Sequence, residues 1–230
     1  MSDLPIVGTA DTPSAWKMIR AMVGVGLLCG LFIVTVYQAT LPAIERNRAE
    51  ALQRAIFQVL PEAQSSTTFR LDDEGRFVES TGDADADRLV HAGYDDDRRL
   101  VGLAVEARGM GYQDVITVIY GYSFAADAVV GIRVLESKET PGLGDRIETD
   151  EAFLANFERL DVSLNADGSA PAHPIEAVKH GKKEQAWQVD GITGATISSV
   201  AIADMLRDST AFWVPNIRAR LDDFRPGGAP

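Results

Sequence analysis

Three short segments hold residue types that could do chemistry. The first runs Asp190-Gly191-Ile192-Thr193-Gly194-Ala195-Thr196-Ile197-Ser198-Ser199 and surrounds hydroxyls with small residues just ahead of a helical stretch. A helix N-terminus offers unpaired N–H groups and the positive end of a dipole, which suits a phosphate. By itself the segment is equally a loop ending in a helix N-cap. The second, Glu139-Thr140-Pro141-Gly142-Leu143-Gly144-Asp145, sets two glycines around a leucine. Without Cβ atoms its amides can approach a flat ligand or a phosphate, although a tight loop leaving a strand uses the same residues. The third, Gly109-Met110-Gly111-Tyr112, lacks the third glycine and following helix of a dinucleotide fingerprint. It reads as a turn between strands.

Composition narrows the chemistry. The chain has 230 residues and a single cysteine, Cys29, inside an apolar run. One cysteine permits no internal disulfide, no four-cysteine iron–sulfur cluster and no thiolate zinc site. The three histidines, His91, His173 and His180, share no metal-ligand spacing, so no metal site and no catalytic residue is expected. Twenty-two Lys and Arg against 34 Asp and Glu give a net charge of −12, which excludes a nucleic-acid partner. If this protein moves electrons, an organic cofactor must carry them.

The elements that would position these segments begin with a membrane span. Residues 21–44 carry no charge, and Trp16 and Tyr37 sit where interfacial aromatics belong. A hydrocarbon core of about 30 Å needs roughly 20 helical residues, so residues 16–40 are expected to cross it after a cytoplasmic leader over 1–15. An uncleaved anchor is favoured over a signal peptide, because the run is long and shows no convincing cleavage site. Lys17 and Arg20 balance Asp3 and Asp11, so the whole −12 belongs to residues 45–230. An anionic domain of that kind is expected outside the cytoplasm.

The rest reads as one α+β domain over residues 41–225, with an antiparallel sheet and flanking helices, then a flexible tail over 226–230. Pro42 is expected to start a helix whose apolar face carries Ile44, Leu52, Ile56, Val59 and Leu60, and Pro61 to stop it. An acidic stretch, Ser80 through Asp87, reads as a solvated loop. The period then changes to two over residues 89–94, 100–107, 115–122 and 129–135, rich in Val, Ile and Tyr, which predicts an antiparallel meander. A helix of roughly nine residues is expected after Asp150. Residues 162–186 read as a long surface loop, and Ser199 as the cap of a second helix.

The segment Asp190-Gly191-Ile192-Thr193-Gly194-Ala195-Thr196 resembles the D-G-x-[ST]-G-A-[ST] flavinylation motif of FMN-binding domains. With Glu139-Thr140-Pro141-Gly142-Leu143-Gly144-Asp145, the N-terminal span and the length, the chain resembles the RnfG and NqrC branch of that family, over roughly residues 16–210. The resemblance implies FMN bound covalently through a phosphoester at Thr196. It adds Asp190, Gly191, Thr193, Gly194 and Ala195 to the cofactor site, together with Glu139, Thr140, Gly142, Leu143 and Gly144 from the loop expected against the isoalloxazine. Implied partners are a flavin transferase of the ApbE type for maturation, the lipid bilayer and the other membrane components of an Rnf complex. That complex is a bacterial inner-membrane translocase coupling ferredoxin:NAD⁺ electron transfer to ion movement, and this chain would be its periplasmic-side electron carrier, with no catalysis in isolation. The alternatives are the NqrC component of a Na⁺-translocating NADH:quinone reductase and a non-catalytic FMN-binding module. Many relatives carry His two residues before the Glu of E-T-P-G, where this chain has Ser137.

Overall fold

The computed structural model describes residues 14–80 and 88–225; residues 1–13 of the leader expected over 1–15, most of the acidic stretch (81–87) and the tail over 226–230 lie outside the described residues. The chain divides into two compact units, Met1–Glu50 and Ala51–Pro230.

Helix α1 (Ala15–Val59) is one unbroken helix of 45 residues. It is long and apolar enough to cross a membrane, and its apolar stretch is unburied, with Met22, Leu27, Leu31 and Phe32 all exposed. It fits a single-pass anchor. Pro42 does not start a new helix as expected; it lies inside this one. Pro at position 42 removes the N–H that would bond the carbonyl of residue 38. The flanking Ala39, Leu41, Ala43 and Ile44 are helix-compatible on both sides, so the helix continues past the missing bond.

The second unit is built on a seven-stranded sheet in the order β2-β1-β3-β4-β5-β6-β7, antiparallel throughout. Its strands are β1 (Ser65–Leu71), β2 (Phe77–Glu79), β3 (Leu89–Tyr94), β4 (Leu100–Met110), β5 (Val115–Ser123), β6 (Ala128–Glu136) and β7 (Leu160–Asp161). The four expected strands are β3–β6. β4 runs through Gly109 and Met110, so the expected turn there is a strand end. Residues 162–186 are not all loop: β8 (Glu176–Val178) pairs in parallel with β9 (Gln188–Asp190).

Both faces of the sheet are covered, which explains why β3 and β5 are almost wholly buried and β4 is buried through residues 102–105. On one face Val90, Ala92, Leu103, Val105, Val118 and Tyr120 pack in the main core with helix α3 (Thr196–Ala219), which contributes Ile202, Leu206, Trp213 and Ile217. On the other, Ala104 and Ile119 meet Ala55, Ile56, Val59, Leu60 and Ala63 from the end of α1 and the turn after it. Gly121 and Gly131, paired across β5 and β6, sit directly under Val59. A Cβ at Gly121 would come within 3.0 Å of the Val59 carbonyl carbon, and one at Gly131 within 3.1 Å of its Cα.

Two helix boundaries differ from expectation. The helix after Asp150 is short: α2 (Glu151–Leu154) continues only as a 3₁₀ turn through Phe157. Its cap is as read, since Asp150 accepts the Phe153 amide at 3.1 Å. Helix α3 begins at Thr196, not near Ser199. Ser199 is fully buried inside the first turn, where its Oγ donates to the Ala195 carbonyl at 2.9 Å and accepts the Ile192 amide at 3.1 Å. It has the chemistry of a cap without the position of one.

Candidate functional site

Glu139 is the meeting point of all three segments singled out in the sequence. It is 5% exposed, and its carboxylate accepts the Gln113 amide at 2.9 Å on one oxygen and the Ser198 hydroxyl on the other. Burial alone would raise its pKa; the amides of Gln113, Tyr112 and Asp114 and the Ser198 hydroxyl outweigh that and hold it below the usual carboxylate range. Two glycines make room for it. A Cβ at Gly144 would come within 2.8 Å of the Glu139 Cβ and 3.0 Å of Ser198 Oγ, and one at Gly111 would meet Glu139 Oε1 at 2.5 Å. The Gly109-Met110-Gly111 segment, read as a bare turn, therefore belongs to the site.

The loop that follows Glu139 is held by Thr140. Its carbonyl accepts the Leu143 amide at 3.1 Å, and its hydroxyl donates to Gln113 Oε1 at 3.2 Å. Gly142 takes φ +76° with open space around it, whereas Gly144 is buried against Glu139. Leu143 between them is 53% exposed. Ser137 Oγ accepts the Glu139 amide at 3.3 Å and so helps turn the chain into this loop.

The Asp190–Ser199 segment turns from β9 into α3. Gly191 is buried and bonds through its N–H to the Val178 carbonyl at 3.0 Å; a Cβ there would come within 3.1 Å of that oxygen. Gly194 takes φ +89°, and Ala195, buried, precedes the helix. Four hydroxyls lie in this segment. Ser198 and Ser199 are buried and hydrogen-bonded, while Thr193 and Thr196 are exposed. Thr196 is the first residue of a 24-residue helix, in the first turn, where backbone amides have no intrahelical acceptor. An anionic phosphoester is favoured there by the helix dipole as well.

Asp190 is occupied elsewhere. Its carboxylate accepts the amides of Gly181 at 3.0 Å and Lys182 at 3.4 Å and lies 3.7 Å from His180 Nδ1, so it shapes the turn over residues 179–182. Arg146, which no sequence motif marks, donates through Nη1 to the Thr193 carbonyl at 3.1 Å and through Nη2 to Asp150 Oδ2 at 2.6 Å. Gln113 and Ser198 were also not expected in the site. No spacing could have revealed them, because their partners lie 26 to 59 residues away.

FMN fits these residues. The accessible hydroxyl at the helix start suits the phosphate. Tyr112, Leu143 and Ile197, chain neighbours of the Glu139 cluster, are 68%, 53% and 55% exposed and offer apolar surface to a flat ring.

Residues 111–211 match the FMN-binding domain family. The chain is 29% identical over 209 residues to the G subunit of the ion-translocating oxidoreductase complex of Methanosarcina acetivorans, covering 88% of this chain and 96% of the relative. It is 31% identical over 177 residues to the protein of the same name from Erwinia tasmaniensis, covering 75% and 77%. Among solved structures, the C subunit of the Na(+)-translocating NADH-quinone reductase from Parabacteroides distasonis superposes with a TM-score of 0.58 at 19% identity, over 77% of this chain and 96% of that one. NqrC of Shewanella oneidensis does so with a TM-score of 0.55 at 18% identity, over 78% and 98%. These likenesses establish a shared fold for the domain that presents Thr196, and the sequence relatives go further: the chain belongs to the G-subunit family of ion-translocating oxidoreductase complexes.

Proposed function

We propose that this chain is the membrane-anchored flavoprotein component of an Rnf-type ion-translocating oxidoreductase complex, relaying electrons between ferredoxin and NAD⁺ through FMN joined covalently to Thr196. The observation that carries the attachment site is the exposed Thr196 hydroxyl at the first residue of α3, beside two serines whose hydroxyls are buried and committed. FMN supplies the one- and two-electron chemistry that a chain with a single cysteine and three histidines cannot.

The chain's own residues hold and orient the group. The first-turn amides of α3 favour the phosphoester, and Gly194 and Ala195 leave room for an ApbE-type flavin transferase to reach the hydroxyl. Leu143, Tyr112 and Ile197 offer apolar contact to the ring, and the Thr140–Gly144 loop offers backbone amides. Glu139 keeps that loop on the start of α3. Asp190, Gly191 and Thr193 act on the attachment segment by fixing its backbone.

In this reading residues 16–40 cross the bacterial inner membrane once, with 1–15 in the cytoplasm and 41–225 on the periplasmic side. The isolated chain would turn over nothing, because both electron donor and acceptor are held by other components of the complex. Purification of the tagged chain from its own membranes tests the whole reading. The expected result is copurification with ferredoxin- and nicotinamide-reactive proteins, and loss of electron transfer in an assembled complex carrying Thr196→Val. Copurification with quinone-reductase components would move the chain to the NqrC role that shares its fold. Recovery of the chain alone, with a flavin that no partner reduces, would make it a binding module.

A further inference from the structure

Two contacts tie the 139–150 segment to the one that carries Thr196, and they fall on either side of it. Downstream, Ser198 donates to Glu139. Upstream, Arg146 donates to the Thr193 carbonyl at 3.1 Å, its guanidinium held in turn by Asp150 at 2.6 Å. Between Thr193 and Thr196 lies Gly194 at φ +89°, the point of greatest backbone freedom in the segment. The Ala195 amide closes this turn on the Ile192 carbonyl at 3.0 Å, and the Arg146 contact ties the closed turn to the 139–150 segment. Helical hydrogen bonds take hold only after it, with the Ser199 amide on the Ala195 carbonyl at 2.9 Å.

We propose that Arg146 is a positioning residue for flavin attachment: bridging Asp150 and the Thr193 carbonyl, it fixes the Thr193–Gly194 turn so that the Thr196 hydroxyl meets the flavin transferase in one orientation. The inference rests on covalent attachment at Thr196. In that step a bond forms between Thr196 Oγ and the phosphorus of the FMN half of FAD. The diphosphate P–O bond breaks, AMP leaves, and the hydroxyl proton passes to a base of the transferase. Arg146 takes no part in these bond changes. It removes the orientational freedom that would otherwise slow them.

Geometry and charge both support the role. Asp150 is anchored independently, since it caps α2 through the Phe153 amide. That amide and the Arg146 guanidinium outweigh desolvation and hold its carboxyl below the usual range, so the ion pair is formed at neutral pH. The Arg146 side chain is 43% exposed. An exposed pair of this kind adds little to global stability, so its removal separates local positioning from unfolding. Lysine keeps the charge but places one ammonium where arginine presents a planar fork, and it cannot span both acceptors in the same way.

The test uses the full-length apo-protein in detergent, with R146A and R146K. Hydrogen–deuterium exchange in R146A should rise ~10-fold at the Ala195 amide, the one in residues 193–197 that closes the turn on the Ile192 carbonyl, and remain unchanged in β3–β6. Flavinylation by purified transferase and FAD should slow by ~10-fold or more in R146A and recover in part in R146K. Wild-type flavinylation rates in R146A would overturn the proposal, as would unchanged exchange at the Ala195 amide. An equal loss of melting temperature in both variants, with no recovery in R146K, would also overturn it by making the role merely structural. Should the wild type itself take up no flavin, covalent attachment fails, and the exchange result alone then decides whether Arg146 holds the turn.

Discussion

The Ser198 hydroxyl donates to the Glu139 carboxylate across 59 residues of chain, and this bond joins the start of α3 to the loop leaving β6. Gln113, from the turn between β4 and β5, donates to the other oxygen. Three separate segments thus converge on one buried charge. A buried carboxylate is tolerable only when its oxygens are satisfied, which couples the order of each segment to the other two.

Glu139→Gln should therefore destabilise the full-length protein by about 2 kcal/mol, because an amide cannot accept at both of its ends. The pH dependence has a definite sign. With the folded pKa held below that of an unfolded glutamate, about 4.3, the stabilisation is complete above that value and is lost as pH falls through the folded one. Chemical unfolding at pH 7 and in acid, wild type against variant, measures it: the two curves should converge in acid.

Gly142 and Gly144 should respond differently to the same methyl group. Gly144→Ala drives a Cβ against Glu139 and Ser198 and should cost the apo-protein about 2 kcal/mol or more. Gly142→Ala meets no neighbour and carries only the backbone strain of φ +76°, about 1 kcal/mol. Thermal melts of the two apo-proteins give the order; equal losses would mean that Glu139 does not set the size of residue 144.

His91 gives the fold a second acid sensitivity. It is buried in β3, with Nδ1 3.0 Å from Thr68 Oγ1, and burial lowers its pKa from 6.5 to about 4. The unfolded chain takes up a proton there before the folded one does, so stability should fall as pH drops from about 6.5 towards about 4. His91→Phe should flatten that part of the profile, whatever it does to stability at pH 8.

The side of the membrane can be read by labelling. In a Cys29→Ser background, Asp96→Cys should react with an impermeant maleimide in cells whose outer membrane alone has been permeabilised. Labelling only after full lysis would put the domain in the cytoplasm.

How much of this was legible in the sequence follows from the range of each interaction. Strands β3–β6 were legible because β-branched and aromatic residues recur there between turn signals. β1 was not, because Ser65-Ser66-Thr67-Thr68 looks like a polar linker until its register against β3 is formed. The cap of α3 is Ala195, four residues before the expected Ser199; the expectation missed because Ser199 has cap chemistry, and only tertiary packing turns its hydroxyl inward. Pro42 looked like a helix start because that is where proline is best tolerated. At the site, the three glycine-containing segments were visible as local patterns. Glu139 as their common centre, and Arg146 as a tie to the attachment turn, depend on contacts that no local pattern encodes.

The most direct measurement is intact-mass and peptide mass spectrometry of the full-length protein coexpressed with its flavin transferase. The expected result is one covalent FMN on the peptide containing Thr196, with fragment ions assigning it to that residue and with Thr196→Val unmodified. FMN on Thr193, Ser198 or Ser199, or a Thr196→Val protein that still carries flavin after denaturation, would contradict the account.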